Sequence, residues 1–307
     1  MKPDTGDGEY NMKGTVGFIG LGNMGMGMVR NLLKRGFPIV AYDILQERLD
    51  AIAKAGGQRA QCPKEVAEKA GIICIVVLNY AQLERVIFGE RGLQEGLTTG
   101  KVLFIMSTIS PKEIRSVAHA LAKCGTDVLD APISGGKEVA EAGALSIMVG
   151  GRRDLFDEYK AILEAMGQNI YYVGELGSGS SLKLVNNLMS IVNEAVVAEA
   201  MVLALRAGLD PKIVLDVIPK SAGDSWMFRY KAHRMVERDF VCRGELDIDV
   251  KDLSYILDMG RELKVPLFLT AAARAMFLMG SALGFGKEDD SAVVKVVEKM
   301  AGIGEGG

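Results

Sequence analysis

Between residue 15 and about residue 174, short runs of aliphatic and β-branched residues alternate with segments whose apolar positions recur every three or four residues. Runs of four to eight apolar residues have strand length, and three-and-four spacing turns one helix face toward a core. Strands are predicted at 16–20, 39–43, 72–78, 102–106, 128–131, 146–149 and 170–173, with helical stripes such as 24–35 and 112–124 between them. Several of the strands are apolar throughout, as strands covered on both faces are. The pattern is the βαβ repeat of a doubly wound, Rossmann-type parallel sheet.

After residue 177 the alternation stops, and Ala, Leu, Met, Glu and Lys dominate. Residues 180–207 predict one helix of about 40 Å, with Gly208 as its stop. Further helices are predicted at 211–218, 230–237, 250–263, 267–279 and 291–300, with Gly284 and Gly286 separating the last two. The expected organisation is a loose tail at 1–13, an α/β domain at 14–176 and an all-helical domain at 177–307, joined by the long helix. Apolar helical segments at 195–205 and 271–279 call for a partner surface, so a homodimer or homotetramer is expected.

Composition narrows the function classes. The 307 residues are 49% hydrophobic and 24% charged, with a formal net charge of −3 and no long basic run, so no nucleic-acid footprint exists. The chain has no signal-like apolar start and no run of about 20 uninterrupted apolar residues, so a cytoplasmic protein without a membrane span is expected. Cys62, Cys74, Cys124 and Cys242 form no CxxC pair, which points to reduced thiols and no metal site. The two histidines, His119 and His233, lie in helix-like patterns, so any acid/base chemistry must use another residue type.

Gly20, Leu21, Gly22, Asn23, Met24 and Gly25 follow a strand-like run and open a helix-like one. In that context the glycines serve a tight turn, close approach of a pyrophosphate, and close packing of helix on strand. Asp43 ends the second strand 23 residues after Gly20, where a carboxylate can accept both adenosine ribose hydroxyls and repel a 2′-phosphate. NAD is therefore expected over NADP. Val77, Leu78 and Thr108 close the third and fourth strands on the edge where ligands of such sheets bind, while Ser110-Pro111 also reads as a helix entry.

Ser134, Gly135 and Gly136 follow another strand and offer N–H groups and a hydroxyl to a carboxylate. Lys183 and Asn187, four residues apart, share one face of the long helix. In order along the chain, Gly17-Phe-Ile-Gly-Leu-Gly-Asn-Met-Gly25, Asp130-Ala-Pro-Ile-Ser-Gly-Gly136, Gly177-Ser-Gly-Ser-Ser-Leu-Lys-Leu-Val-Asn-Asn187 and Lys251-Asp-Leu253 resemble the β-hydroxyacid dehydrogenase family. The resemblance covers nearly the whole chain. It implies NAD-dependent interconversion of a small hydroxy acid and its semialdehyde or keto acid. It further implies Lys183 as proton-transfer group, Asn186 and Asn187 as substrate-holding amides, residues 134–136 as the carboxylate cradle, and Lys251 as contact to cofactor and substrate.

Within the family, Ser225-Trp-Met-Phe228 and residues 286–293 look like the branch that includes L-threonate dehydrogenase. Asn186-Asn187 and residues 130–136 also fit the 2-(hydroxymethyl)glutarate and 3-hydroxyisobutyrate branches. Trp226 and Phe228 are candidates for pocket wall or core, and Arg229 and Arg243 for a second acidic group or plain surface. The competing reading is a non-catalytic dehydrogenase-like module that binds nucleotide or a partner.

Overall fold

The computed structural model describes residues 14–304, so the tail expected at 1–13 lies outside the described residues. Six strands build the parallel part of one sheet: β1 (Val16–Ile19), β2 (Ile39–Tyr42), β3 (Gln58–Arg59), β4 (Ile72–Ile75), β5 (Val102–Ile105) and β6 (Asp127–Asp130). They lie in the order β3-β2-β1-β4-β5-β6, with Val16 aligned to Ile39 on one side and Ile72 on the other. The crossovers carry α1 (Asn23–Lys34), α2 (Gln46–Lys54), α3 (Pro63–Lys69), α4 (Tyr80–Phe88) and α5 (Pro111–Ala122). Apolar side chains on the two sheet faces form two separate cores, one around Phe18 and Phe104, the other around Ile73 and Ile105. The strand order reverses at β1/β4, which opens a crevice beyond their carboxyl ends.

The far edge departs from the all-parallel expectation. Strand β7 (Ile133–Ser134) and, after α6 (Lys137–Glu141), strand β8 (Leu145–Gly150) pair antiparallel with each other, and β8 is antiparallel to β6. A parallel return needs a crossover of a dozen residues or more. Strand β7 runs on in the direction of β6 after two residues, and the ten residues between Ser134 and Leu145, α6 among them, turn the chain back so that β8 is antiparallel to both. Helices α7 (Arg153–Glu158) and α8 (Lys160–Met166) then return the chain to β9 (Gly167–Gly174), parallel to β8.

The second half is helical: α9 (Ser178–Arg206), α10 (Pro211–Val217), α11 (Trp226–Glu237), α12 (Leu246–Glu262), α13 (Phe268–Gly280) and α14 (Val293–Met300). The core lies where α9, α11, α12, α13 and α14 meet around Phe228, Leu253 and Phe277. Helix α9 begins two residues before the predicted start because its cap is not local. The buried carboxylate of Asp130, at the end of β6, accepts the N–H of Gly177 at 2.7 Å and of Ser180 at 2.6 Å. Helix α11 begins four residues early on a local cap, the Ser225 hydroxyl accepting the Phe228 N–H. Residues 178–206 and 268–285 are long and apolar enough to cross a membrane by length and composition. The first of these nevertheless carries Lys183, Asn187 and Glu194 on the face packed into the helical core.

Candidate active site

Strand β1 leads into Gly20, whose φ of +93° makes the turn. A Cβ there would lie 2.0 Å from the Val76 carbonyl oxygen, and one at Gly25 would lie 2.0 Å from that of Gly20. Gly22 differs: the nearest atom to its Cβ position is Nη1 of Arg48, at 4.0 Å, so the space above it is open. Helix α1 starts there with no side-chain cap, leaving the N–H groups near Asn23 and Met24 free for an anion. Glycine is thus required by packing at two positions, while the third leaves room for a ligand. These features fit the pyrophosphate of a dinucleotide.

Asp43 lies almost buried just past β2. Its Oδ2 accepts the Leu21 N–H at 2.7 Å, its Oδ1 accepts the Leu45 N–H at 2.9 Å, and Arg48 Nη1 stands 3.4 Å from Oδ2. Asp43 therefore braces both the glycine loop and the approach to α2. Val77 donates its N–H to the buried Ser107 hydroxyl at 2.8 Å, and Leu78 beside it is half exposed. Residues 76–78 therefore do not extend β4, which stops at Ile75. Ser110 forms a capping box with Glu113, so that stretch is a helix entry. The Thr108 carbonyl instead accepts Lys251 Nζ at 3.2 Å, tying the helical half to the sheet edge.

On the helical side a cavity of about 540 Å³ is lined by Ser134, Gly135, Gly136, Lys183, Asn186 and Asn187, among others. Gly135 and Gly136 have φ of +145° and +84°, and a Cβ on Gly135 would meet the Val139 side chain at 2.6 Å. Asn186 Nδ2 reaches Ser134 Oγ at 3.4 Å and Asn187 Oδ1 at 3.1 Å. Asn187 donates to Asp252 Oδ2 at 2.7 Å, and Asp252 Oδ1 lies 2.8 Å from Lys251 Nζ. Lys251 itself does not line the cavity; it stands between Thr108 and Asp252, on the side of the sheet edge.

Burial holds the Lys183 amine down to a pKa of about 8, and Lys251 acts in the same sense against Asp252 and Asp249. A second buried lysine on the cavity wall, Lys231, shows the opposite behaviour. Burial alone would lower its pKa, but Glu194, Asp290 and Asp289 outweigh that and fix it as a cation. It bonds Asp289 Oδ1 at 2.9 Å and makes a short contact with Asp290.

Of the other candidates, Trp226 lines the cavity stacked on Tyr230 at 4.5 Å, whereas Phe228 is core. Arg243 lines the cavity with Asp239 at 2.8 Å, whereas Arg229 pairs with Asp224 on the surface. Sequence alone assigns no role to Asp130, Arg48, Asp252 or the buried charges Glu194, Lys231, Arg234, Asp249, Asp289 and Asp290. A signal was present: Glu194 falls on the α9 face of Lys183 and Asn187, and Asp249 and Asp252 are one turn apart on α12.

The model of the NAD-binding domain of 6-phosphogluconate dehydrogenase matches residues 15–174, and that of the NAD-binding region of NADP-dependent 3-hydroxyisobutyrate dehydrogenase matches residues 177–297. The chain is 39% identical to 2-(hydroxymethyl)glutarate dehydrogenase of Eubacterium barkeri, over 95% of this chain and 97% of that one. It is also 39% identical to L-threonate dehydrogenase of Cupriavidus necator, over 93% and 96%. A solved 3-hydroxyisobutyrate dehydrogenase from Salmonella typhimurium superposes with a TM-score of 0.87 at 36% identity, over 92% of this chain and all of that one. With both halves matched in one continuous alignment, and with the glycine loop and the lysine cavity on adjoining halves of the fold, the chain belongs to the β-hydroxyacid dehydrogenase family.

Proposed function

We propose that the protein is an NAD-dependent dehydrogenase interconverting a small hydroxy acid and its semialdehyde or keto acid, with Lys183 as general acid and base. The observation that carries this is the contrast between the two buried cavity lysines. Lys231 is locked as a cation, while Lys183 can exist in either protonation state near neutral pH. In the oxidative direction neutral Lys183 accepts the substrate hydroxyl proton; in the reductive direction its ammonium returns that proton to the carbonyl oxygen. The nicotinamide, when bound, supplies or accepts the hydride. Residues 134–136 hold the substrate carboxylate with N–H groups and the Ser134 hydroxyl, and Asn186 and Asn187 fix the reacting oxygen without adding charge. The residues that would hold the cofactor run from Gly20 to Gly25, with Asp43 at the ribose and Val77, Leu78, Thr108 and Lys251 nearer the ring; the Asp43 carboxylate favours NAD over NADP.

Ser146, Ser190 and Asn193 continue the cavity wall beyond Asn186, which suits a substrate bearing a further hydroxyl or carboxylate better than a purely aliphatic branch. The boundary between a cofactor domain and a substrate domain is placed at 176/177. The same proposal includes a cytoplasmic location and a homodimer or homotetramer, in which Leu203 of α9 and Phe268 and Leu269 of α13, all strongly exposed, become covered. The deciding experiment is Lys183→Ala, followed by NADH binding and by turnover on short hydroxy acids and semialdehydes, threonate included. Retained binding with turnover reduced about 10²–10⁴-fold is expected. An unchanged rate sinks the mechanism, and a wild type that binds NADH but turns over no compound favours the non-catalytic module.

A further inference from the structure

A seam of buried polar groups runs between α9 and α12 away from Lys183. Asn187 on α9 meets Asp252 on α12, and about two turns further along α9, Glu194 meets Asp249, one turn earlier on α12. Carboxylate oxygens of Glu194, Asp249 and Asp290 all lie within 4.8 Å of one another. Four carboxyls meet here, those of Glu194, Asp249, Asp289 and Asp290, and they face two cations, Lys231 and Arg234 of α11. Both cations are committed elsewhere: Lys231 to Asp289 and Asp290, and Arg234 to Asp289 at 3.5 Å. Correspondingly, Glu194 Oε1 and Asp249 Oδ2 are buried with no hydrogen-bond partner. A buried carboxylate without a hydrogen-bond donor takes up a proton rather than remain charged, and for Glu194 burial and Asp290 outweigh the Lys231 cation.

We propose that Glu194 and Asp249 hold a proton between them behind Lys183, and that the negative charge left on Asp249 sets the pH at which Lys183 becomes a base. Both are positioning residues that act through the lysine, so the proposal rests on Lys183 being the acid/base. Burial is also the leading cause that pushes both carboxyls well above the ordinary range, and Asp249 acts on Lys183 to favour its ammonium. The other charges facing Lys183, Asp252 and Lys251 on α12, are constant across the comparison.

The test uses Asp249→Asn and Glu194→Gln in the full-length protein. Asp249→Asn removes the charge, so the acid limb of the oxidative pH–rate profile moves to lower pH. Glu194→Gln leaves Asp249 as the one carboxyl of the pair, which by the same argument keeps the proton, so the limb again moves to lower pH, each by on the order of half a unit. A merely structural role moves neither limb. Independently of turnover, the infrared carbonyl stretch of a protonated carboxyl is expected in the wild type at neutral pH and is expected to shift in frequency in either variant. Its absence from the wild type overturns the proposal, as does melting that responds to a chelator and so reveals a cation in place of the proton. Limbs that stay fixed while Lys183→Ala abolishes turnover overturn the coupling alone; a fully active Lys183→Ala instead removes the reading beneath it.

Discussion

Asn187 spends its amide on two neighbours: Nδ2 donates to Asp252 at 2.7 Å, and Oδ1 accepts from Asn186 at 3.1 Å. The residue beside the lysine is thereby held in one orientation. Asn187→Asp sets a second carboxylate against Asp252, where two like charges cannot both ionise readily. Turnover should fall at least about tenfold with NADH affinity unchanged. Asn187→Ala leaves the buried Asp252 short of a donor and should cost about 1–3 kcal/mol in a melt. Steady-state kinetics beside calorimetry separate the two effects.

Lys183 carries a stability penalty along with its proposed chemistry. Its pKa in the folded protein, about 8, lies below the ordinary lysine value of 10.5, so the unfolded chain binds more protons between those limits. Stability from this group therefore rises with pH across that window, and at neutral pH the buried ammonium is unfavourable by on the order of 1–3 kcal/mol. Lys183→Met should melt higher than the wild type at neutral pH while being inactive, with the gain shrinking toward pH 10. A variant that melts lower would show the ammonium to be better compensated than its surroundings indicate.

The same pKa fixes opposite pH dependences for the two directions. Oxidation requires neutral Lys183, so kcat/KM should climb through about pH 8 and level off above it. Reduction requires the ammonium and should decline over the same range. Parallel profiles in both directions would contradict a lysine acid/base.

Asp43→Ser removes the acceptor of both the Leu21 and Leu45 N–H groups and releases Arg48 from its carboxylate partner. Loss of the negative charge, with a freed guanidinium beside the ribose position, should weaken NADH and tighten NADPH, read as dissociation constants by fluorescence titration. A wild type that already prefers NADPH would refute the reading of Asp43.

Gly25→Ala drives a Cβ to 2.0 Å from the Gly20 carbonyl oxygen, so α1 must move off β1. Overpacking of this kind costs about 1–3 kcal/mol. NADH binding should suffer more than stability because the displaced helix end is the proposed phosphate site; Gly36→Ala, at an open position with φ of +82°, is the control for backbone strain alone.

Strands β1, β2, β4 and β5 were legible because continuous apolar runs have one economical use, a sheet covered on both faces. The antiparallel edge was hidden: β7 has two residues and no periodicity. Motif spacing brought residues 134–136, Lys183, Asn186 and Asn187 to one cavity, but it placed Lys251 without its partners Thr108 and Asp252, since a lysine's reach is not encoded in its neighbours. Asp130 was read as the first letter of a loop motif, whereas its carboxylate is the cap of a helix 48 residues downstream that begins at Ser178. The buried acids were missed for a different reason. A glutamate in an apolar stripe looks like the edge of that stripe until the facing helix is known.

The tertiary cap also gives α9 the mechanics of a cantilever. The beam is clamped to the sheet at its first turn by Asp130, and Lys183 sits only about 8 Å along it. Leu203, near the free end, lies about 37 Å out. For any small tilt of the beam, displacement grows with distance from the clamp. Shifts imposed at the outer end, by repacking or by contact with another molecule, therefore reach Lys183 reduced about fivefold.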